Sequence, residues 1–364
     1  MPRGLKSVLS GGRRRILRTL GRNPLSAADE RFYARHERDA DRFLSNIEQE
    51  QGARLHPDIR RLCSEYARDV LGWEGFAPWL RTYSAVAREF REGWIPESYY
   101  AKVVLPVINK DMRQISDLRV IEAVLFGTLF PDILRYANGL FVSSSHEIVP
   151  SEGVAELLFQ QNERVVFKLH TSRFSRGVMV YTKENFSVDE IIRAGNGVFQ
   201  PYLRQHPFFD SFTANSVATL RLATVVDDQG EVSCRASYLR VARESDPIVI
   251  ADTSLRIPVD VRTGQLHNKG YDSAFFSATQ HPDSGFTFGG ATIPGFAKSV
   301  EAVRGLHKKL PFCHSIGWDV CITQNEEPQI MEWNAKHNLI KVSEAASGPC
   351  FTGLGWENMW KGAI

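Results

Sequence analysis

Apolar positions recur along this chain with two periods, and the change from one to the other divides it. Up to about residue 100 the spacing is helical. Ala27–Glu50 is highly charged with apolar residues at Phe32, Phe43 and Ile47, which predicts a surface helix. Asp58–Leu71 repeats Ile59, Leu62, Tyr66 and Val70 at three- and four-residue steps, and Phe76–Phe90 continues in kind after Gly72 and Gly75. Pro96-Glu-Ser is a helix start. Val103–Val107 is a short apolar run, and Leu118–Leu129 keeps a helical period.

Beyond residue 140 short alternating segments dominate. Leu140–Val142, Arg164–Leu169, Val178–Tyr181 and Val198–Leu203 read as strands, with short helices at Val154–Gln161 and Val188–Arg193 between them. Pro201 blocks one ladder bond and suits an edge strand or a hinge between two lobes. Ser216–Val226 and Glu231–Arg240 form a hairpin about Asp227-Asp-Gln-Gly, and Ile248–Gln265 ends on the turn Arg262-Thr-Gly. Asn268–Gly290 is a long polar, Gly-rich loop, and Ala297–Leu310 a helix.

The last pair is the most informative. In Ser315–Thr323, Ile316, Trp318, Val320 and Ile322 share one face, and Gly317, Asp319 and Cys321 the other, the alternation of a half-buried strand. After the turn Asn325–Pro328 the pattern resumes, with Glu332 and Asn334 on one side because strand side chains alternate. Folded as a hairpin, Asp319 lies opposite or next to Glu332. Like charges so placed are unfavourable unless a cation sits between them. Two carboxylates and an amide form an all-oxygen set suited to Mg²⁺; the other reading is a polar face that meets water.

Composition narrows the class without naming it. The chain of 364 residues has 43% hydrophobic and 24% charged content and a net charge of +2, ordinary for a soluble protein of two or three domains. Charge is uneven: Met1–Arg22 holds seven basic residues and no acid, which suits either a solvated terminus or a basic arm for an anionic membrane or nucleic acid. No apolar h-region follows, so it is not a signal peptide. The best candidate membrane span, Val120–Val142, contains Glu122, Asp132 and Arg135 and is broken by Pro131. Five scattered cysteines with no Cys-x-x-Cys pair fit a reduced, cytoplasmic protein without a zinc site. Nucleic-acid binding lacks the interleaving of basic and aromatic residues it needs.

Other residues carry candidate chemistry. Lys168 lies near the end of its strand. His170–Gly177 (His-Thr-Ser-Arg-Phe-Ser-Arg-Gly) is either a solvated hairpin tip or a lid of N–H and Arg donors over a triphosphate, though it is not a P-loop. Free backbone groups at the Val198–Leu203 hinge could meet an adenine edge. Arg221, amid apolar neighbours, must be paired or face a ligand.

In order, these features resemble the ATP-grasp superfamily, and most of all its sugar-transfer-associated branch; the chain is more distantly similar to tubulin–tyrosine ligase-like enzymes. The carrying phrases are Ser216–Thr224, His281-Pro-Asp-Ser-Gly with Ile293-Pro-Gly-Phe, Ile316-Gly-Trp-Asp-Val and Ile330-Met-Glu-Trp-Asn, and the resemblance covers about residues 100–345. It implies an α+β fold of two lobes that clasp ATP between antiparallel sheets. The chain would then divide into a basic arm (1–22), a helical N-terminal region (23–100), an ATP-grasp domain (101–345, hinge near 198–205) and a C-terminal tail (346–364).

By position, the resemblance implies that Lys168 contacts the nucleotide phosphates, with Lys110 as an earlier partner. Ser172, Arg173, Ser175, Arg176 and Gly177 belong to the phosphate-covering loop, and Gln200, Pro201, Tyr202 and Leu203 to the adenine hinge. Gln200 stands where the common pattern has an acid. Arg221 stabilises phosphate or a substrate carboxylate, with Lys168 and Arg176 as further catalytic cations, and Asp319, Glu332 and Asn334 hold Mg²⁺. His170, Lys269 and His337 either serve the acceptor or are structural. The implied reaction joins a small-molecule carboxylate to an amine through an acyl phosphate with release of ADP. Such a ligase suits an amino sugar or amino acid in polysaccharide or natural-product synthesis. A phosphotransferase on the same fold, or a nucleotide-binding scaffold docked to a membrane by the basic arm, are the rivals.

Overall fold

The structure of the protein is a computed structural model that describes residues 26–170, 177–336 and 338–362. The basic arm Met1–Arg22, loop residues Ser172, Arg173, Ser175 and Arg176, and His337 lie outside the described residues. Among the described residues no helix is long and apolar enough to cross a membrane. The chain divides into two compact units.

Among the described residues one unit is helical and comprises 26–108, Ala274–Phe276 and 339–362. Its first helix, α1 (Ala27–Gln51), starts where the Ser26 hydroxyl accepts from the Asp29 N–H and stops at Gly52, whose φ of 64° is a left-handed cap. Ala40, Phe43, Leu44 and Ile47 form its buried stripe. Helix α2 (Pro57–Asp69) buries Cys63 and Ala67, and α3 (Ala77–Ala87) is buried along most of its length. The C-terminal segment is bonded into this unit. The buried Glu97 carboxylate accepts the N–H groups of Ile340 (2.9 Å) and Lys341 (2.8 Å), and Trp94 Nε1 donates to the Glu344 carbonyl at 2.8 Å.

The other unit, Asn109–Ser273 with Ser277–Asn338, holds two antiparallel sheets. The smaller contains β1 (Leu134–Ala137), β2 (Leu140–Ser143), β3 (Ile148–Val149), β4 (Arg164–Leu169), β5 (Val178–Thr182) and β6 (Gly197–Pro201), in the order β3-β2-β1-β6-β4-β5. The larger contains β7 (Thr219–Val226), β8 (Val232–Val241), β9 (Leu255–Pro258), β10 (Gly270–Tyr271), β11 (Ser277–Ala278), β12 (Ser315–Ile322) and β13 (Pro328–Asn334), in the order β11-β10-β9-β8-β7-β12-β13.

Strand alternation sorts the residues. Val165 and Phe167 enter the core of the smaller sheet with Leu134 and Phe199, which sends Val166 and Lys168 to the opposite face. In the larger sheet Leu220, Leu222, Leu239, Trp318 and Trp333 enter the core. Thr219, Arg221, Tyr238, Arg240 and Asp319 therefore share the other face.

Four expectations change. The 315–322 strand is buried at every position, not half-buried. It lies between β7 and β13, and its polar face is covered because Arg221 pairs with Asp319 and Asn338 packs on Gly317. The Pro201 strand is no edge: β6 sits between β1 and β4. Pro201 is its last residue, so the missing N–H falls where the ladder stops. The 268–290 segment contains β10 and β11 rather than being all loop. The 118–129 helix is broken into Arg119–Ile121, Glu122–Phe126 and Gly127–Leu129, with a φ of 76° at Gly127.

Candidate functional site

The free faces of the two sheets line one cleft. From the smaller sheet come Val166, Lys168, Val178, Val180, Gln200 and Pro201; from the larger, Thr219, Arg240, Asp319, Met331 and Glu332. Tyr202, Leu203 and Val249 complete the apolar part. Counted out to its open mouth, the space is about 1050 Å³. A mostly apolar cleft with a few convergent charges has the character of a small-ligand site.

The hairpin β12–β13 brings the two carboxylates together, as expected, but through a register shift. Asp319 pairs with Glu332 and Gly317 with Asn334. A bulge after Asp319 makes Met331 an extra residue, so Met331 and Glu332, although adjacent in sequence, both line the cleft. The two carboxylates are tolerated side by side because each has an arginine. Arg221, across β7, puts Nε at 2.6 Å from Asp319 Oδ1 and Nη2 at 3.1 Å from Oδ2. Arg119 puts Nη2 at 3.0 Å from Glu332 Oε1. Burial opposes the Arg221 charge, but Asp319 outweighs it and raises its pKa. Burial likewise works to raise the Glu332 pKa; Arg119, Arg221 and Lys168 overcome that and hold it below the usual carboxylate range.

Lys168 is half-buried and donates to the Met331 carbonyl at 3.1 Å, which ties β4 to β13. Burial lowers its pKa, helped by Arg119 and resisted by Glu332, Glu122 and Asp132. Beneath it lie two acids. Gln200 is turned to Asp132, its Nε2 donating to Oδ1 at 2.8 Å. Glu122 is 1% exposed, neither of its oxygens has a hydrogen-bond partner, and burial pushes its pKa up to about 8 against the pull of Arg119.

The other candidates are distributed unevenly. After β6 the chain passes through Tyr202, Leu203 and Arg204 and pairs again at Gln205 with Thr323, so the hinge segment crosses from one sheet to the other at the cleft wall. Gly177 closes the β4–β5 hairpin by accepting the Leu169 N–H at 2.9 Å. His170 is half-buried, and its N–H donates to the Asn196 carbonyl at 2.8 Å. Lys110 and Lys269 are exposed and do not line the cleft. Arg119, Glu122, Asp132, Arg240 and Met331 were not singled out from the sequence. None carried a signal there; even Arg240 reaches the face of Arg221 only because a bulge at Ala223/Thr224 shifts the β7–β8 register.

A family model described as sugar-transfer associated ATP-grasp matches residues 160–354. No curated protein matches the chain. Among solved structures it is similar to an N5-carboxyaminoimidazole ribonucleotide synthetase in its ADP complex, at 12% identity and a TM-score of 0.38, covering 61% of this chain and 45% of that one. The biotin carboxylase domain of Hydrogenobacter thermophilus 2-oxoglutarate carboxylase is 10% identical with a TM-score of 0.43, covering 68% and 46%. The ATP-grasp ligase PsnB, bound to a minimal precursor, is 11% identical with a TM-score of 0.40, covering 70% and 63%. The chain thus spans less than half the length of the first two.

Proposed function

Since this chain belongs to the sugar-transfer associated ATP-grasp family, whose fold its two antiparallel sheets follow, we propose that it is an ATP-dependent carboxylate–amine ligase working in the cleft. The observation that carries this reading is the Asp319–Glu332 pair facing Lys168 across the cleft, with arginines on both carboxylates.

The donor set fits a hard cation. Asp319, Glu332 and Asn334 offer only oxygen ligands, and the ion pair with Arg119 occupies one Glu332 oxygen. These three residues would hold Mg²⁺, which when bound neutralises phosphate charge. Val166, Tyr202, Leu203 and Met331 suit a base, with backbone groups of the hinge at its edge. Lys168, half-buried at the junction of the sheets, meets the phosphates. Excluding water from such a cleft strengthens each charge interaction.

In the first step an oxygen of the acceptor carboxylate attacks the γ-phosphorus, the bond to the ADP oxygen breaks, and an acyl phosphate forms. An amine then attacks the acyl carbon, phosphate departs, and the nitrogen loses a proton. Arg221 stands where charge develops and is held rigid by Asp319, so little reorganisation accompanies the transfer. An amino sugar or amino acid as the amine, in polysaccharide or natural-product synthesis, agrees with the family description.

The test is incubation with Mg²⁺, ATP, hydroxylamine and pooled sugar acids and amino acids. Hydroxamate together with ADP is expected. ADP with no hydroxamate from any pool favours transfer to a hydroxyl, and the absence of both overturns an enzymatic role.

A further inference from the structure

Glu332 is capped by an arginine that stands in the way of a metal ion. Arg119 Nη2 lies 3.0 Å from Glu332 Oε1, and both side chains line the cleft. A divalent cation drawn to Glu332 therefore meets a guanidinium on the same carboxylate. Two positive groups sharing one carboxylate repel each other, so the arginine has to give way as the cation arrives.

A displaced guanidinium in a buried setting needs another anion. Asp319 is taken, because Arg221 holds both of its oxygens. Asp132 gives Oδ1 to Gln200 and has only Oδ2 left. Glu122 has both. It is 1% exposed, and among the described residues neither of its oxygens has a hydrogen-bond partner. Arg119 opens the 3₁₀ turn Arg119–Ile121 and Glu122 opens the helix Glu122–Phe126, so the two are three residues apart, the spacing at which helical side chains meet. Two free oxygens match the fork of a guanidinium. A buried carboxylate without partners is costly, and it marks an arrangement that another state completes. Burial keeps a proton on Glu122 against the pull of Arg119 and Lys168, with Asp132 and Glu332 acting on the side of burial.

We propose that Arg119 has two carboxylate partners, Glu332 until a divalent cation binds and Glu122 afterwards, and that Glu122 is the positioning residue that clears the metal ligand. The assignment rests on the reading of Asp319, Glu332 and Asn334 as the metal site of the ligase. Pairing with Arg119 ionises Glu122. Its proton leaves to solvent as the cation enters, so the site gains less charge than the cation brings.

The experiment titrates Mn²⁺, as a stand-in for Mg²⁺, into the full chain alone and then with saturating ADP against an ADP blank, and counts the free ion by its EPR signal. Glu122→Gln is expected to weaken Mn²⁺ binding about tenfold, because Arg119 then keeps Glu332, and Arg119→Met to tighten it about tenfold by removing the cap. In the Arg119→Met background Glu122→Gln is expected to change the affinity less than about twofold, since there is no arginine left to receive. Circular dichroism confirms folding, and Arg119→Gln replaces Arg119→Met if the latter does not fold. Equal weakening by Glu122→Gln in both backgrounds means that Glu122 acts through its own charge, and it overturns the exchange. Wild-type Mn²⁺ affinity in folded Glu122→Gln overturns it too. A wild-type chain that binds no Mn²⁺ under either condition sinks the metal site and the exchange together. Mn²⁺ binding that follows the expected cycle, without hydroxamate formation, keeps the exchange and sinks the ligase reading instead.

Discussion

Asp319 and Glu332 look equivalent in sequence, yet their surroundings differ. The Asp319 side chain is 7% exposed and locked to Arg221, whereas that of Glu332 is 37% exposed. Asp319→Asn should therefore abolish Mg²⁺-dependent ADP release and also destabilise the protein by about 3–5 kcal/mol, because it strands a buried guanidinium. Glu332→Gln should abolish turnover with a much smaller loss of stability. Urea unfolding beside an ADP assay separates the two, and wild-type turnover in either variant refutes the assignment. Glu122 supplies a pH signature. Its folded-state pKa is raised to about 8, so the native protein keeps a proton that the unfolded chain sheds above the ordinary Glu value. Stability from this residue is present below that value and is lost as pH rises toward 8. Glu122→Gln should raise the melting temperature at neutral pH and flatten that slope; an unchanged slope contradicts it.

At the scale of elements, the β12–β13 hairpin was legible because alternation and the turn mark both strands, but the bulge that brings Glu332 rather than Met331 opposite Asp319 was not. What could not be read was the cover on its polar side. Arg119 comes from a single turn of helix in a broken segment, and Asn338 lies beyond the strand, so neither has a periodic signal. Strand β1 was missed because Leu134–Ala137 is four residues long and its centre holds Arg135, whose guanidinium is satisfied only in the fold by the Ser143 carbonyl at 2.7 Å. Tightness around β12 gives two expectations. Gly317→Ala should cost both stability and turnover, since its Cβ meets Arg221 and Asn338; a folded variant of wild-type rate contradicts this. The rear of the strand is pinned by a buried chain. Trp318 Nε1 donates to Thr224 Oγ1 at 2.8 Å, Thr224 meets His307 Nδ1 at 2.6 Å, and His307 Nε2 donates to the Cys313 carbonyl at 2.6 Å. Burial lowers the His307 pKa to about 4, so the unfolded chain takes up a proton first on acidification. Stability should be full above about 6.5 and fall as pH drops toward 4, and His307→Gln should blunt that fall in a thermal-melt series.

At the scale of the whole chain, the helical unit joins two distant stretches and the three residues Ala274–Phe276. Ile340, Val342, Ala345, Phe351 and Trp356 are buried, and Glu344 accepts the Ile95 and Cys350 N–H groups, each at 2.8 Å. Ending the chain after Asn338 should unfold this unit and expose 26–108 to protease, whereas a truncated chain with the same digestion pattern contradicts that dependence. The participation of Leu339–Ile364 was not legible, because a short apolar and aromatic stretch carries no record of its partner 250 residues away, the separation of Trp94 from Glu344.

That split assembly sets an order of events during synthesis. α1 to α3 leave the ribosome before the stretch from Leu339 onward that completes their core. The intervening unit, contiguous but for a three-residue excursion, can close while the first helices wait with apolar faces uncovered. Nascent chains stalled before residue 339 should therefore recruit chaperones through 26–108, and emergence of 339–362 should end that engagement.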